Sequence, residues 1–88
     1  MPVKIEVFYT EMCPYCPAAL ELVREVGAKF SDIIVEEVNT STSEGMARAN
    51  GYQIFSVPTI VINGKVAFVG VPEKEELIKA VKTKLETS

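Results

Sequence analysis

The sequence contains no histidine and only two cysteines among its 88 residues. Structural zinc is held by four nitrogen or sulfur ligands, so one chain of this composition cannot build a complete site from cysteine and histidine. Tryptophan is also absent. Any chemistry at cysteine therefore depends on a single pair, unless two chains combine their thiols.

The sequence also lacks long apolar runs and basic runs. No stretch approaches the ~20 apolar residues that cross a bilayer, and the 9 Lys and Arg are outnumbered by 12 Asp and Glu. We therefore expect neither a membrane nor a nucleic acid as partner. The first residues alternate in charge without the apolar core of a signal peptide, which predicts a cytoplasmic location. The length predicts one domain over residues 1–88.

Apolar periodicity predicts seven elements in the order β-α-β-α-β-β-α. The predicted strands cover residues 3–9, 33–38, 59–62 and 65–69, and the predicted helices begin at Pro14, at a capping box that starts at Ser41, and at Pro72. Two strands joined by a long helix pair in parallel, whereas Asn63-Gly64 between apolar runs predicts a hairpin. The expected fold class is α/β, with a four-stranded mixed sheet flanked by three helices.

Both cysteines lie in one motif, Cys13-Pro14-Tyr15-Cys16, where the first predicted strand gives way to a helix. The free N–H groups and positive dipole end of a helix N-terminus stabilise a thiolate. We expect Cys13 to cap the helix, with its sulfur accepting hydrogen bonds from the N–H groups of Tyr15 and Cys16. Cys16 is expected to be more buried and to keep a higher pKa. The motif predicts that Cys13 attacks a disulfide and Cys16 resolves it, while Pro14 and Tyr15 shape the entry.

Two other interpretations of the cysteine pair stay open. The first is a purely structural pair, which a reducing compartment disfavours. The second is half of a metal site, in which a dimer would share a Cys₄ zinc or an iron–sulfur cluster. The position of the pair at the start of a helix favours thiol–disulfide chemistry over both.

Val57-Pro58 directly precedes the third predicted strand. The simplest interpretation is a proline at the first residue of a strand, where no ladder N–H is lost. Because the cysteine motif lies at the same end of a neighbouring strand, we expect instead a cis peptide that turns the Val57 N–H and C=O toward an extended substrate. Tyr9, Tyr52 and Phe55 are expected to pack in the core or at its border (shoulder positions) and not to contact a ligand.

Three features stand in the order and spacing that are typical of the thioredoxin fold: the cysteine motif, Val57-Pro58-Thr59, and Gly70 before a final amphipathic helix. Cys-Pro-Tyr-Cys is the motif associated with glutaredoxins. The chain resembles, over essentially its whole length, the small archaeal redoxins described as thioredoxin- or glutaredoxin-like.

This resemblance implies a dithiol–disulfide oxidoreductase whose redox-active group is a Cys13–Cys16 disulfide. No metal and no bound organic cofactor are implied. A cis proline would lie opposite the cysteines. The substrate-binding residues implied are Val57, Pro58, Gly70 and Val71.

Three positions depart from the patterns of these families. Thr10 stands where many glutaredoxins carry a Lys or Arg that helps to hold a glutathione carboxylate. Glutaredoxins also carry a Gly-Gly followed by an acid that holds the other end of glutathione, and here that stretch is Gly70-Val71-Pro72-Glu73. Val7 stands where thioredoxins carry a buried Asp. These departures favour a thioredoxin-type exchanger over one that depends on glutathione.

The expected function is therefore a monomeric protein disulfide reductase. It would receive electrons from a reductase or a low-molecular-weight thiol and pass them to disulfides of target proteins. Two alternatives remain: a glutathione-dependent glutaredoxin acting on mixed disulfides, and a dimeric redoxin that binds a metal or an iron–sulfur cluster.

Overall fold

The computed structural model describes residues 2–87, so Met1 and Ser88 of the predicted 1–88 domain lie outside the described residues. The strands are β1 (Val3–Tyr9), β2 (Ile33–Asn39), β3 (Thr59–Ile62) and β4 (Lys65–Val69). The helices are α1 (Cys16–Lys29), α2 (Ser43–Gly51) and α3 (Lys74–Thr87). Within residues 2–87, none of the helices has the length and apolar character needed to cross a membrane.

The four strands form one mixed sheet in the order β2-β1-β3-β4. β1 pairs parallel with β2 and antiparallel with β3, and β4 pairs antiparallel with β3. This arrangement confirms the predicted fold class. Since Phe8 near the end of β1 pairs with Thr59 at the start of β3, the loop after β1 and the segment before β3 emerge at the same edge. The cysteine loop and Val57-Pro58 therefore become neighbours.

The central strand β1 buries side chains on both faces of the sheet. Val3, Ile5 and Val7 pack against apolar residues of α1 and α3. Phe8 points to the other face and packs in a second cluster with Ala49 of α2. A fully buried aliphatic or phenyl side chain contributes about 1.5–3 kcal/mol. These two layers hold the sheet edge that carries the cysteines.

Helix α1 begins later than predicted, at Cys16 instead of Pro14. Pro17 has no N–H to donate to the Cys13 carbonyl, so an intrahelical bond cannot form there. The bond from Ala19 N–H to the Tyr15 carbonyl, at 3.3 Å, lies at the start of the helix. Cys13 consequently precedes the cap residue Tyr15 and is not itself the cap.

Helix α2 is capped by Thr42, and the prediction of Ser41 as the cap was wrong. The Thr42 hydroxyl accepts a hydrogen bond from the Gly45 N–H at 2.9 Å. The helix ends at Gly51 as expected, but the left-handed residue after it is Gln53, with φ of 59°.

The predicted hairpin between β3 and β4 is confirmed. Asn63 and Gly64 have φ of 49° and 81°, the left-handed pair that a tight hairpin turn requires. The Asn63 side-chain oxygen also accepts a hydrogen bond from the Lys4 N–H at 2.9 Å, which ties the turn to β1.

Candidate active site

The loop between β1 and α1 presents the two cysteines differently. Cys13 is half-buried, and its N–H donates to the Thr10 carbonyl at 3.4 Å. Cys16 is the first residue of α1 and is only 1% exposed. Both are free thiols. The prediction that Cys16 is the more buried of the two is confirmed.

The Cys13 thiol lies against the segment that precedes β3. Its sulfur donates to the Val57 carbonyl oxygen, with an S···O distance of 3.6 Å. This partner replaces the expected N–H groups of Tyr15 and Cys16, because α1 begins beyond Cys13. The Val57-Pro58 peptide is cis, as predicted. A surface thiol and a backbone carbonyl of the neighbouring segment therefore share one site.

The Cys16 thiol is held in its protonated form. Burial is the main cause that raises its pKa to about 11, and the adjacent Cys13 side chain raises it further. A backbone hydrogen bond at Thr10 acts in the opposite direction. At neutral pH roughly one Cys16 in 10,000 is therefore a thiolate. A sulfur that is almost entirely protonated attacks a disulfide slowly, because the thiolate is the nucleophile.

Gly70 lies next to Pro58 at the same edge of the sheet. Its N–H donates to the Pro58 carbonyl at 2.8 Å. The φ of Gly70 is 94°, a conformation that residues with a Cβ rarely adopt, so glycine lets the chain turn away from β4 here. Val71 follows and is 42% exposed. Of the predicted substrate-binding residues, Val57 thus meets Cys13, and Pro58 meets Gly70.

Apolar side chains are exposed around this edge. Tyr15 in the motif is 69% exposed, and Met12 just before it is 91% exposed. Phe55 is 89% exposed, so the expectation of a core or shoulder residue was wrong there. Ile54 takes the buried position instead. Tyr52 does lie at the border of the core: its ring packs edge-on against that of Phe8, with 5.8 Å between the ring centroids.

A cavity of about 310 Å³ adjoins the Val57 segment. It opens between α2 and the residues before β3, and Phe55 forms part of its wall. The side chains that line it are mostly apolar or uncharged: Thr10, Thr40, Met46, Ala49, Asn50, Ile54, Phe55, Ser56 and Val57. Together with the exposed residues, it makes this edge suited to an apolar or uncharged partner segment.

A charged cluster under α2 was missed in the sequence. Glu6 is only 2% exposed, and its carboxylate pairs with Arg48 and accepts a hydrogen bond from the Tyr52 hydroxyl. The proximity of this carboxylate raises the pKa of Tyr52. The available signal was Glu6 itself, an acidic residue between the apolar residues Ile5 and Val7 of β1. Its partners lie more than forty residues away, so periodicity alone does not identify them.

The described residues do not bring three or more His, Cys, Asp or Glu side chains together in a geometry that could hold a metal ion. The two thiols of Cys13 and Cys16 are the candidate ligands that the sequence offers. A shared metal or cluster would need a second chain to complete the ligand set.

Comparison with known proteins identifies the family. Residues 3–82 match the model of the thioredoxin domain. The chain belongs to the thioredoxin family. It is 49% identical to a thioredoxin from Methanocaldococcus jannaschii over 94% of this chain and 96% of that protein. It is 45% identical to a probable thioredoxin from Methanothermobacter marburgensis, over 98% of this chain and all of the relative.

A solved structure agrees with this assignment of the thioredoxin family. A mutant thioredoxin from Halobacterium salinarum superposes with a TM-score of 0.77 at 25% identity, covering 92% of this chain and 73% of the other. This thioredoxin-family chain is a dithiol–disulfide oxidoreductase, and the glutaredoxin alternative is the weaker one. Its family membership implies disulfide-containing targets and a reducing donor.

Proposed function

We propose that Cys13 attacks target disulfides and Cys16 resolves the intermediate. The single observation that carries this division is the difference in exposure: Cys13 is half-buried, whereas Cys16 is 1% exposed. A target disulfide reaches the outer sulfur first, and only an intramolecular partner reaches the inner one.

The electrons balance over two exchange steps. The Cys13 thiolate forms a bond with one target sulfur, and the target S–S bond breaks, releasing the other target sulfur as a thiolate that takes up a proton. Cys16 then loses its proton, attacks the Cys13 sulfur and expels the second target thiol. The target gains two electrons, and the protein is left with a Cys13–Cys16 disulfide.

The same proposal gives the edge around Pro58 the role of a docking strip. The Val57 carbonyl already accepts a hydrogen bond from Cys13, and backbone pairing at Val57 would align an extended target segment with that sulfur. Gly70 and Val71 would border the segment on the β4 side, and Pro14 and Tyr15 on the α1 side. Exposed Tyr15 and Phe55 favour a target with apolar side chains near its disulfide.

We further propose that the protein works as a single-domain, cytoplasmic monomer without a metal or bound cofactor. A cysteine pair at the edge of a strand–helix unit is typical of redox proteins in reducing compartments. A flavoprotein reductase or a low-molecular-weight thiol would restore the dithiol. The uncharged Thr10 provides no cation for a glutathione carboxylate, which favours a reductase as the electron donor.

Two single variants test the division of roles. Cys13→Ser is expected to abolish reduction of a protein disulfide such as that of insulin, because no exposed nucleophile remains. Cys16→Ser is expected to accumulate a mixed disulfide with the target, visible as a mass adduct that a reductant removes. Activity retained in Cys13→Ser, or an adduct on Cys16 in place of Cys13, would contradict the proposal.

A further inference from the structure

A charged cluster joins α2 to the sheet on the face opposite α1. We call it the Arg48 cluster; its members are Glu6, Glu36, Arg48 and Tyr52. Arg48 donates to the two Glu36 oxygens at 2.8 and 3.0 Å and also pairs with Glu6. The Tyr52 hydroxyl donates to the other Glu6 oxygen at 2.8 Å. Every member of the cluster thus contacts at least one other.

The Arg48 cluster places a cation beside two neighbouring carboxylates of the sheet. Glu6 and Glu36 are direct register partners on the parallel strands β1 and β2, so two carboxylates lie side by side. Like charges in this position destabilise a sheet, and the side chain of Glu6 is only 3% exposed. Arg48, reaching down from α2, is the group that pairs with both of them.

Apolar packing holds α2 only weakly. Its buried residues are Gly45 and Ala49, which have little or no side chain. Met46, the largest apolar residue of the helix, is 51% exposed. The position of the C-terminal half of α2 therefore depends strongly on Arg48.

The end of α2 in turn holds the segment that leads to the active site. The Tyr52 N–H donates to the Arg48 carbonyl at 3.3 Å, and the Ile54 N–H donates to the Ala49 carbonyl at 2.8 Å. Ile54 is buried beneath α2, and Val57 follows three residues later. Tyr52 is thus fixed twice, by its backbone to α2 and by its hydroxyl to Glu6.

We propose that Arg48 and Tyr52 are positioning residues for protein substrates. By fixing the start of the 52–58 segment, they set the place of the Val57 backbone relative to the Cys13 sulfur. This inference rests on the proposed docking of a target segment along Val57. A small-molecule disulfide meets Cys13 without pairing with that backbone, so the cluster matters for protein disulfides only.

The test compares two substrates in matched variants. Tyr52→Phe removes one hydroxyl and keeps the ring on Phe8, and Arg48→Met removes the cation. Arg24→Met is the control, because Arg24 makes a similar two-bond pair with Glu37, at 2.6 and 2.8 Å, on the α1 side. The two substrates are insulin and an aryl disulfide. Hydrogen exchange of the backbone amides of residues 54–57 is measured on each folded variant.

Tyr52→Phe is expected to raise KM for insulin about fivefold with kcat unchanged, and to leave kcat/KM for the aryl disulfide within about twofold. Hydrogen exchange of residues 54–57 should become faster. Arg48→Met should act in the same direction and more strongly if it folds, whereas Arg24→Met should change none of these readouts.

Two results would overturn the inference. One is an insulin KM in Tyr52→Phe within twofold of the wild-type value. The other is an equal loss toward both substrates, which would make the cluster purely structural. Both are distinguishable from failure of the proposed function, because that failure appears as activity in Cys13→Ser, whatever the state of the Arg48 cluster.

Discussion

At the scale of single residues, the two cysteines show how one motif places two thiols in different environments. They are separated by two residues, yet one sulfur meets the Val57 carbonyl at 3.6 Å and the other is 1% exposed. The motif predicts the pair and its order of action, because a helix start buries its second cysteine more than its first. The sequence places Val57-Pro58 at the same end of a neighbouring strand, but it does not predict that the Cys13 sulfur donates to the Val57 carbonyl.

The buried thiol gives a prediction about pH. Because burial raises the pKa of Cys16 to about 11, the reduced protein should show Cys16 alkylation that is half-maximal near that pH. A group whose pKa is raised on folding stabilises the fold below its unfolded pKa, about 8.5, and loses that contribution as pH rises toward the folded value. Stability of the reduced protein should therefore fall between about pH 8.5 and 11.

Peptide mapping after brief iodoacetamide treatment measures the first effect, and urea unfolding across the same pH range measures the second. Cys16→Ser is the control, because it should lack the component of the stability loss that comes from this thiol. Native Cys16 that is alkylated with a midpoint near 8.5, like an exposed thiol, would rule the prediction out.

At the scale of elements, most of the fold follows from local pattern. The alternation of β1, the hairpin at Asn63-Gly64 and the order of the seven elements are all readable from sequence. The start of α1 is not, because the loss of one N–H at Pro17 moves the first hydrogen-bonded turn without changing the apolar stripe. The Arg48 cluster is not readable either, since its ion pairs depend on strand register.

The N-terminal end of α2 depends on a close approach to β2. A Cβ built on Gly45 would lie 1.8 Å from the Asn39 carbonyl oxygen, so Gly45→Ala must push the helix away from the strand. We expect Gly45→Ala to lower the free energy of unfolding by about 1–3 kcal/mol. Gly51→Ala is the matched control in the same helix.

A Cβ at Gly51 meets nothing within 4 Å, so that variant should be neutral or slightly stabilising, by up to about 1 kcal/mol. Urea denaturation of the two variants and the wild type gives the comparison. Equal stabilities for Gly45→Ala and Gly51→Ala would show that α2 can move away from β2 at no cost.

At the scale of the whole molecule, the ion pairs lie outside the loop that carries the cysteines. The net charge is −3, and several cations are already paired: Lys4 with Glu36, Arg24 with Glu37, Arg48 with both carboxylates of its cluster, and Lys74 with Glu25. The loop before α1 carries one charged residue, Glu11, and the turn before α3 carries Glu73. The surface around Cys13 thus offers carboxylates and no neighbouring cation in these loops.

This charge pattern predicts which donor reduces the disulfide form. Glutathione is an anion, and charge complementarity governs how fast such a partner associates. We expect oxidised wild-type protein to be reduced much faster by thioredoxin reductase with NADPH than by glutathione at millimolar concentration. Thr10→Lys places a cation three residues before Cys13 and should raise the rate with glutathione by about threefold or more at low salt.

Ile34→Lys adds the same charge at a residue that is 52% exposed and pairs with Lys4, at the end of β1 away from the cysteine loop, and should leave that rate unchanged. Thiol alkylation followed by mass measurement reports the fraction of dithiol over time for each donor. Wild-type reduction by glutathione as fast as by the reductase would reverse the assignment of the donor. An equal gain in Thr10→Lys and Ile34→Lys would show that net charge, and not the cation beside Cys13, limits the reaction.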